Sequence, residues 1–177
     1  MSNYLVDQTF LHILDTHNVT SMLDLGAGEG RQVLAAVRKG AKVFAVDKQA
    51  VLPIAATDPA VTWIQTTIED YDIPKGAFDL IVMKNVIHFL KREFVQHSLA
   101  SSIVQGLRAH GTLYISTFGQ NDIVFQKSLQ GYYTDEELQD IFHPIVFEDS
   151  VQEIVQDDHP PYGSHEHLLM KYIGRKA

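Results

Sequence analysis

The 177-residue chain carries 14 Lys and Arg against 22 Asp and Glu, which gives a net charge of −8 with His neutral, and it contains no cysteine. The absence of cysteine excludes disulfides, cysteine-ligated zinc, iron–sulfur clusters and thiolate nucleophiles. The acidic balance argues against nucleic acid as a partner, because binding to a phosphate backbone requires clustered basic side chains. With 45% hydrophobic and 20% charged residues, the composition is that of one ordinary globular domain.

The first elements of the sequence alternate between helix and strand. Residues 4–17 place apolar side chains at helical spacing, which predicts a helix that caps the core. A short strand over residues 21–25 is followed by a glycine-rich loop and by a helix over residues 29–39. Two further apolar runs, at residues 42–46 and 61–64, predict the second and third strands.

The middle of the chain continues the same alternation. Residues 78–83 and 111–117 are typical of buried strands. Strands that alternate with helices indicate βαβ units and a mostly parallel sheet. Between these two strands the sequence predicts a long helix, whose apolar face carries Phe94, Leu99, Ile103 and Leu107.

The last third of the chain departs from this alternation. Residues 134–137 form a capping-box sequence, which predicts a short helix through Phe142. Two strands follow, at residues 145–148 and 168–173, with no helix between them, so they are expected to pair antiparallel. The predicted fold is therefore α/β, with a Rossmann-like, doubly wound, mostly parallel sheet that ends in an antiparallel strand pair. The exposed edge of that pair can support a homodimer.

No segment of the sequence resembles a targeting signal, a membrane span or a linker. The N-terminal residues lack a basic region followed by an apolar run, and no stretch approaches the ~20 apolar residues that span a bilayer. The expectation is a cytoplasmic protein that does not interact with membranes and consists of one domain over residues 1–177. Within it, residues 1–18 form a capping helix, residues 19–118 the cofactor-binding half and residues 119–177 the substrate side.

The glycine-rich loop, residues 24–30 with the sequence DLGAGEG, follows the first strand and opens the first helix after it. This is the context that a nucleotide-type cofactor loop requires. Glycines in such a loop let a ligand approach the main chain closely. Asp47 ends the next strand, where a carboxylate accepts hydrogen bonds from a ribose diol. The pattern predicts a cofactor that contains a nucleoside.

The charge of the loop distinguishes between cofactors. Asp24 and Glu29 would repel the pyrophosphate of a dinucleotide at the helix N-terminus, whereas they suit an ammonium or a sulfonium group. S-adenosylmethionine carries both cations and no phosphate. The loop therefore favours S-adenosylmethionine, with an NAD-dependent oxidoreductase as the less favoured alternative. The missing GK[ST] sequence excludes a nucleoside triphosphate loop.

Four ordered segments carry a resemblance to a known family. Together they resemble the successive motifs of class I S-adenosylmethionine-dependent methyltransferases: LDLGAGEGR (23–31), VFAVDK (43–48), WIQTTIEDYDIP (63–74) and FDLIVMKNVIHFL (78–90). YYTDEEL, at residues 132–138, extends the resemblance over most of the chain. The small size, the short connection over residues 66–77 and the closing hairpin are similar to the tellurite-resistance type of small methyltransferase. The resemblance implies methylation of a small molecule, such as a thiol, a chalcogen oxyanion or another metabolite, with S-adenosyl-L-homocysteine as the product.

The same resemblance implies which residues bind the cofactor. Asp24 orients the amino group of its methionine part, and Asp47 holds the ribose hydroxyls. Ile68 packs against adenine and Glu69 makes a polar contact with it, although Thr67 stands where many relatives have an acid. The implied cofactor residues are Asp24, Gly26, Ala27, Gly28, Asp47, Lys48, Ile68, Glu69 and, beside the methionine tail, Lys84 and Asn85.

Histidines supply candidate catalytic groups. An alcohol or amine acceptor needs a general base, whereas a thiol or chalcogen anion that is already ionised needs only positioning. His88 follows the fourth strand, and His165 and His167 share one face if the last strand has begun by then. The alternatives stay open: His88 can be a satisfied histidine at a helix start, and residues 157–167 can form a solvated turn.

Two further alternatives concern the histidine-rich segment and the activity itself. No metal site is predicted, but the spacing leaves open a metal held by His159, His165 and His167 with Asp157 or Asp158. A non-catalytic module that binds S-adenosylmethionine and acts through a protein partner is the remaining alternative to an enzyme.

Overall fold

The computed structural model describes residues 7–49, 54–119, 122, 132–159 and 163–177. One mixed sheet contains seven strands: β1 (Ser21–Leu25), β2 (Lys42–Asp47), β3 (Val61–Gln65), β4 (Phe78–Lys84), β5 (Leu107–Phe118), β6 (Ile145–His159) and β7 (Gly163–Lys176). Their order across the sheet is β3-β2-β1-β4-β5-β7-β6. The first five strands run parallel, and β7 pairs antiparallel with both β5 and β6. The predicted fold class is confirmed.

Local sequence accounts for where the helices begin. The helices are α1 (Gln8–Thr16), α2 (Arg31–Arg38), α3 (residues 92–106, with a π-helical stretch at Val95–Leu99) and α4 (Asp135–Ile141). The Asp7 side chain caps α1 by accepting a hydrogen bond from the Thr9 amide (3.0 Å). The predicted capping box opens α4, because Thr134 and Glu137 each accept a hydrogen bond from the other's backbone amide.

Helices cover both faces of the sheet, as a doubly wound fold requires. On one face α1 and α2 bury Phe10, Ile13, Val33 and Ala36 against Leu80, Val82 and Tyr114. On the other face α3 and α4 bury Ile103, Leu138 and Phe142 against Ile81, Met83 and Tyr172. Alternate residues of each strand therefore face opposite cores. Within the described residues, no helix is both long and apolar enough to cross a bilayer.

A buried polar cluster ties α1 to the sheet. Lys171 on β7 donates a hydrogen bond to the Asp7 carboxylate (2.8 Å) and also pairs with Glu153 on β6, while the Tyr114 hydroxyl donates to Asp7. Burial opposes ionisation of Asp7, but the hydrogen bonds from Lys171 and Tyr114 outweigh it and lower the pKa of this carboxyl. The cluster places a charged pair between α1 and the central strands.

Several predicted boundaries differ from the observed ones. Leu107 was expected to lie in the preceding helix, but β5 begins there. Leu107 pairs with Phe78 on β4, ahead of a register shift between these two strands. Strands β6 and β7 are 15 and 14 residues long, and they continue to pair with each other beyond Phe118, the end of β5. The predicted first helix starts at Gln8, and residues 4–6 lie outside the described residues.

Candidate active site

The glycine loop between β1 and α2 is held by hydrogen bonds to β2. The amides of Gly26 and Ala27 both donate to the Val46 carbonyl (2.8 and 3.1 Å), and the Gly28 amide donates to Oδ2 of Asp47 (2.7 Å). Gly26 and Gly28 adopt positive φ angles of 81° and 52°, which favour glycine. The loop and the end of β2 therefore form one rigid unit.

Asp47 is buried and organises the end of β2. Besides the Gly28 amide, its carboxylate accepts a hydrogen bond from the Gln49 amide at Oδ1 (2.8 Å). A carboxylate has about four acceptor positions, so two backbone bonds leave capacity for a diol. Lys48, the next residue, is exposed to solvent.

Asp24 is the penultimate residue of β1, just before the loop, and is only 1% exposed. Burial raises the pKa of its carboxyl to about 7, and the negative charge of Asp47 adds to this effect, while Lys84 opposes it. Among the described residues, Oδ2 of Asp24 has no hydrogen-bond partner. A buried carboxylate oxygen without a partner is costly, and it marks a position where a donor or a cation would be stabilised.

The structure changes one part of the charge argument made from the sequence. Glu29 is exposed and pairs with Arg31 at the start of α2, so a nearby cation offsets its charge. Asp24, rather than Glu29, provides the negative charge on the buried side of the loop.

The end of β4 brings two more of the predicted cofactor residues to this edge of the sheet. Burial lowers the pKa of Lys84, which also interacts electrostatically with Asp7 and Asp24. Asn85 has a φ of 53°, and its amide donates to the Ser116 carbonyl (2.9 Å) while its Oδ1 accepts from the Ser116 hydroxyl (2.7 Å). Lys84 therefore interacts with the carboxylate of Asp24, and the fixed Asn85 follows at the end of β4, the strand that pairs with β1.

The segment after β3 holds the residues expected near adenine. Ile68 is buried in the core, whereas Glu69 is exposed. Thr67, the departure from the family pattern, donates a hydrogen bond to the Asp70 side chain (2.7 Å) and accepts one from the Asp70 amide (3.2 Å). The hydroxyl therefore fixes the turn that carries Ile68 and Glu69.

Two of the three candidate catalytic histidines pack against the same aromatic ring. His88 lies in a 3₁₀ turn (Ile87–Phe89) after β4, with its ring centroid 4.7 Å from that of Phe118 at the end of β5. The His167 centroid on β7 lies 4.6 Å from the same ring. Both imidazoles are buried, at 4% and 5% exposure. The side chain of His165 lies outside the described residues.

The imidazoles of His88 and His167 have different hydrogen-bonding neighbours. Nδ1 of His88 lies 3.3 Å from the Thr117 hydroxyl, and burial lowers the pKa of His88 to about 4. Nδ1 of His167 instead lies 3.0 Å from each carboxylate oxygen of Asp122. His167 therefore faces a carboxylate, while His88 is held as a neutral ring.

Strand β6 extends to His159, and β7 begins at Gly163 and buries His167. The alternative of a solvated turn through residues 157–167 is therefore wrong for residues 157–159 and 163–167, and residues 160–162 lie outside the described residues. The metal alternative rested mainly on His159, His165, Asp157 and Asp158, whose side chains lie outside the described residues. Among the side chains that are described, no three His, Asp or Glu residues are grouped closely enough to hold a metal ion.

Residues 23–115 match the family model described as a methyltransferase domain, which is more than half of the chain. The chain belongs to this methyltransferase family. It is an S-adenosylmethionine-dependent enzyme of class I, with S-adenosylmethionine as the methyl donor and S-adenosylhomocysteine as the product. This membership decides against the nicotinamide-dependent alternative. No curated protein matches the chain.

Solved structures of methyltransferases share the fold. TehB from Haemophilus influenzae superposes with a TM-score of 0.77 at 17% identity, over 99% of this chain and 64% of that one. A second structure is the 1,6-didemethyltoxoflavin N1-methyltransferase of Burkholderia thailandensis, bound to 1,6-didemethyltoxoflavin and S-adenosylhomocysteine. Its TM-score is 0.69 at 23% identity, over 96% of this chain and 77% of that one. The N-methyltransferase NodS from Bradyrhizobium japonicum, bound to S-adenosylhomocysteine, has a TM-score of 0.71 at 16% identity, over 95% of this chain and 84% of that one.

The glycine loop of this methyltransferase fits the methionine part of such a cofactor. A Cβ atom on Gly28 would meet nothing within 4 Å, so this side of the loop is open. Oδ2 of Asp24, which no other described residue contacts by a hydrogen bond, suits an ammonium group, and Lys84 nearby suits a carboxylate. These observations agree with a zwitterionic ligand rather than a phosphate.

Sequence reasoning missed two features of this methyltransferase. Asp122 was not singled out, because nothing near it in the sequence indicates that its carboxylate reaches His167, which lies 45 residues further along the chain. A cavity of about 410 Å³ was also missed. It lies between the start of α4 and the strands, and it is lined by Gly119, Tyr132, Thr134, Asp135, Glu136, Gln152, Leu168, Met170 and Tyr172.

Proposed function

We propose that this methyltransferase methylates a small molecule and that residues 1–177 act as one domain in doing so. The observation that carries the proposal is the buried Asp24 carboxylate, whose Oδ2 lacks a partner among the described residues beside an open glycine loop and a cation, Lys84. The pairing of β7 with β5 supports the single domain, because the substrate side completes the sheet of the cofactor half.

The predicted cofactor residues fall into three groups by the part of the cofactor that they would hold. Gly26, Ala27 and Gly28 line the methionine part, where Asp24 binds its ammonium group and Lys84 and Asn85 lie beside its tail. The Asp47 carboxylate binds the ribose hydroxyls, with Lys48 at the rim, and Ile68 and Glu69 contact adenine. When bound there, the sulfonium supplies an activated methyl carbon, and the protein has to align the acceptor and exclude water.

The acceptor is a molecule of metabolite size. The net charge of −8 disfavours nucleic acid, and thiols, chalcogen oxyanions and other metabolites are the candidate classes. Similarity to the fold of TehB over 99% of the chain supports the tellurite-resistance type as one member of this range. Fold alone does not choose among acceptors, because one scaffold hosts many chemistries.

Of the three candidate catalytic histidines, His167 is the best placed to exchange a proton, because it contacts a carboxylate. His88, with a pKa lowered to about 4 by burial, suits a role as a neutral ring that positions its neighbours. His165 remains a candidate from its position on β7, two residues before His167.

Calorimetric titration with S-adenosylmethionine, S-adenosylhomocysteine and NADH tests the proposed cofactor site. We expect the first two ligands to bind and NADH not to bind. Asp47→Ala should weaken binding at least tenfold, because a charged hydrogen bond contributes about 1.5–3 kcal/mol. The matched control is Asp58→Ala, which removes a carboxylate whose Oδ1 accepts from the Ala60 amide (2.9 Å) in the turn before β3. Unchanged affinity in Asp47→Ala would contradict the proposed ribose contact.

A further inference from the structure

The Asp122 carboxylate is buried at the end of β5, with only 2% of the residue exposed. Its amide donates to the Gly119 carbonyl (3.0 Å), and its Oδ2 accepts a hydrogen bond from the Leu168 amide (3.0 Å). A neutral Asn offers the same acceptor to that amide. The hydrogen bonds by which Asp122 connects the start of β7 to the end of β5 therefore do not require a charged side chain.

The charge of Asp122 is directed at His167. Both carboxylate oxygens lie 3.0 Å from Nδ1 of the imidazole, and only 7% of the His167 side chain is exposed. A carboxylate at Nδ1 holds a proton on that nitrogen, so that Nε2 is the basic nitrogen of the neutral ring. It also stabilises the imidazolium that forms when Nε2 takes up a second proton.

The pair lies at the edge of the sheet where the glycine loop also lies. His167 precedes the β7 residues that pair with the end of β5, and its ring packs against Phe118, as does the ring of His88 after β4. Ligands of open α/β sheets bind at the carboxyl ends of the parallel strands. Asp24, Lys84 and Phe118 all stand at or next to those ends.

We propose that Asp122 is a positioning residue that prepares His167 as the general base of the methyl transfer. The acceptor is accordingly a small molecule whose nucleophilic atom carries a proton at neutral pH, an N–H or an O–H, rather than a thiolate or chalcogenide that is already ionised. This inference rests on the proposed function and names the acceptor class of the same site.

The proposed step balances without any other reactant. A lone pair on the acceptor nitrogen or oxygen forms the new bond to the methyl carbon. The carbon–sulfur bond breaks and its electron pair stays on sulfur, which leaves S-adenosylhomocysteine. The proton of the acceptor moves to Nε2 of His167, and the Asp122 carboxylate stabilises the resulting charge. An acceptor that is already ionised has no proton to lose and gains nothing from this pair.

Magnetic resonance of the histidine ring nitrogens tests the pair without any turnover, because it reports which nitrogen carries the proton. We expect the neutral His167 ring to carry its proton on Nδ1 in the wild type and to lose this preference in Asp122→Asn, because the carboxylate that faces Nδ1 is gone. Among the described residues, Asp122 and His88 are titratable groups that interact with His167, and Val155 is its partner on β6. A proton on Nε2 in the wild type, or an unchanged proton position in the variant, would overturn the pairing.

Turnover of two matched acceptors tests the base itself. Phenol keeps its proton at neutral pH, whereas thiophenol is largely ionised there. We expect Asp122→Asn to lower phenol methylation by about 10- to 100-fold, within the range of general-base effects. We also expect it to leave thiophenol methylation within about twofold, because that acceptor has no proton to lose. Asp140→Asn, an exposed substitution on α4, is the control.

The outcomes separate the inference from the proposed function. Equal losses with both acceptors, or no loss with phenol, would overturn the base assignment. Calorimetry with S-adenosylhomocysteine should give the same affinity for Asp122→Asn as for the wild type. Absence of binding in the wild type itself would instead contradict the proposed cofactor site, while the magnetic resonance measurement would still report on the Asp122–His167 pair.

Discussion

Asp24 combines two opposing roles in a single side chain. Its burial is unfavourable for the folded protein, since the pKa of the carboxyl rises from 3.8 to about 7. The same burial leaves a carboxylate oxygen at the glycine loop without a partner in the part of the chain that the structure describes. A residue that destabilises the protein and faces a binding position is typical of functional sites.

The first prediction concerns stability in Asp24→Asn. A carboxyl whose pKa is raised on folding costs no stability below the unfolded pKa of 3.8, and the cost grows until the pH passes about 7. Asn resembles the protonated form at every pH. The variant should therefore have a higher free energy of unfolding than the wild type, and this gain should be larger at pH 8 than at pH 5. The gains at the two pH values should differ by roughly 2–3 kcal/mol. Urea unfolding at both pH values measures this, with exposed Asp72→Asn as the control; equal gains at both pH values would contradict it.

The second prediction concerns the pH dependence of ligand affinity. An ammonium group beside Asp24 lowers the pKa of the carboxyl, so binding of S-adenosylhomocysteine should release a proton at pH 6. Affinity should rise with pH up to about 7 and then level off. In Asp24→Asn we expect weaker binding without this rise. Calorimetry in two buffers of different ionisation enthalpy measures the proton release, and buffer-independent heats at pH 6 would count against the proposed ammonium contact.

Individual residues were predictable from the sequence where a motif determines the backbone around them. Asp24 and Asp47 lie at the carboxyl ends of β1 and β2, two neighbouring parallel strands, so their approach follows from the order of the elements. Asp122 and His167 are brought together by the pairing of β5 with β7. The periodicity of a single segment contains no information about such a contact.

At the scale of elements, the glycine loop and the β5–β7 ladder carry the proposed site. The loop depends on backbone conformations that glycine adopts readily, and the ladder depends on register. The sequence predicted the order of elements because apolar periodicity changes between strand and helix. The sequence predicted β6 and β7 too short. Where these two strands extend past the end of β5, the described residues pair only between β6 and β7, and they show little apolar alternation.

The third prediction compares two glycines with similar backbone conformations. Gly28 and Gly40 have φ angles of 52° and 90°, and a Cβ on either would meet nothing within 4 Å. Alanine at either position should therefore destabilise the protein by a similar amount, about 1 kcal/mol. Only Gly28→Ala should weaken binding of S-adenosylhomocysteine, because its methyl group occupies the open side of the cofactor loop. Equal affinities for the two variants would show that Gly28 does not face the ligand.

The fourth prediction concerns the attachment of α1 to the sheet. Lys171→Met leaves Asp7 buried without its cation and should lower the free energy of unfolding by about 3–5 kcal/mol. The double variant Asp7→Asn/Lys171→Met should recover much of this loss. Lys39→Met removes an exposed ion pair between Lys39, which follows α2, and Asp15 on α1. This variant should lower the free energy of unfolding by less than about 1 kcal/mol. Chemical unfolding measures all three, and equal losses in the two lysine variants would refute the prediction.

At the scale of the whole molecule, the last strand of this sequence does not lie at the edge of the sheet. β7 is inserted between β5 and β6 and pairs antiparallel with both. The sequence predicted the antiparallel pair itself, because two strands follow one another without a helix. It did not predict which of the two lies inside, since hydrophobic pattern and turn sequence are compatible with either order.

The fifth prediction follows from this insertion. A chain that ends at residue 162 lacks β7, so β5 and β6 lose their shared partner and their backbone groups are left unpaired. We expect this shortened chain to lack cooperative thermal unfolding and to bind no S-adenosylhomocysteine, although the whole glycine loop is present. Removal of Ala177 alone, which lies beyond β7, is the control. Cooperative melting of the shortened chain, followed by circular dichroism, would show that residues 7–119 fold without β7.

The separation of Asp122 and His167 from the glycine loop by β4 and β5 affects how the protein can evolve. Substitutions at Asp122 and His167 alter the proposed acceptor side, while the loop after β1 and the carboxylate of Asp47 keep their own hydrogen bonds. Distant sites contribute to stability nearly additively. Acceptor preference can therefore diverge among descendants while the methyl donor stays the same.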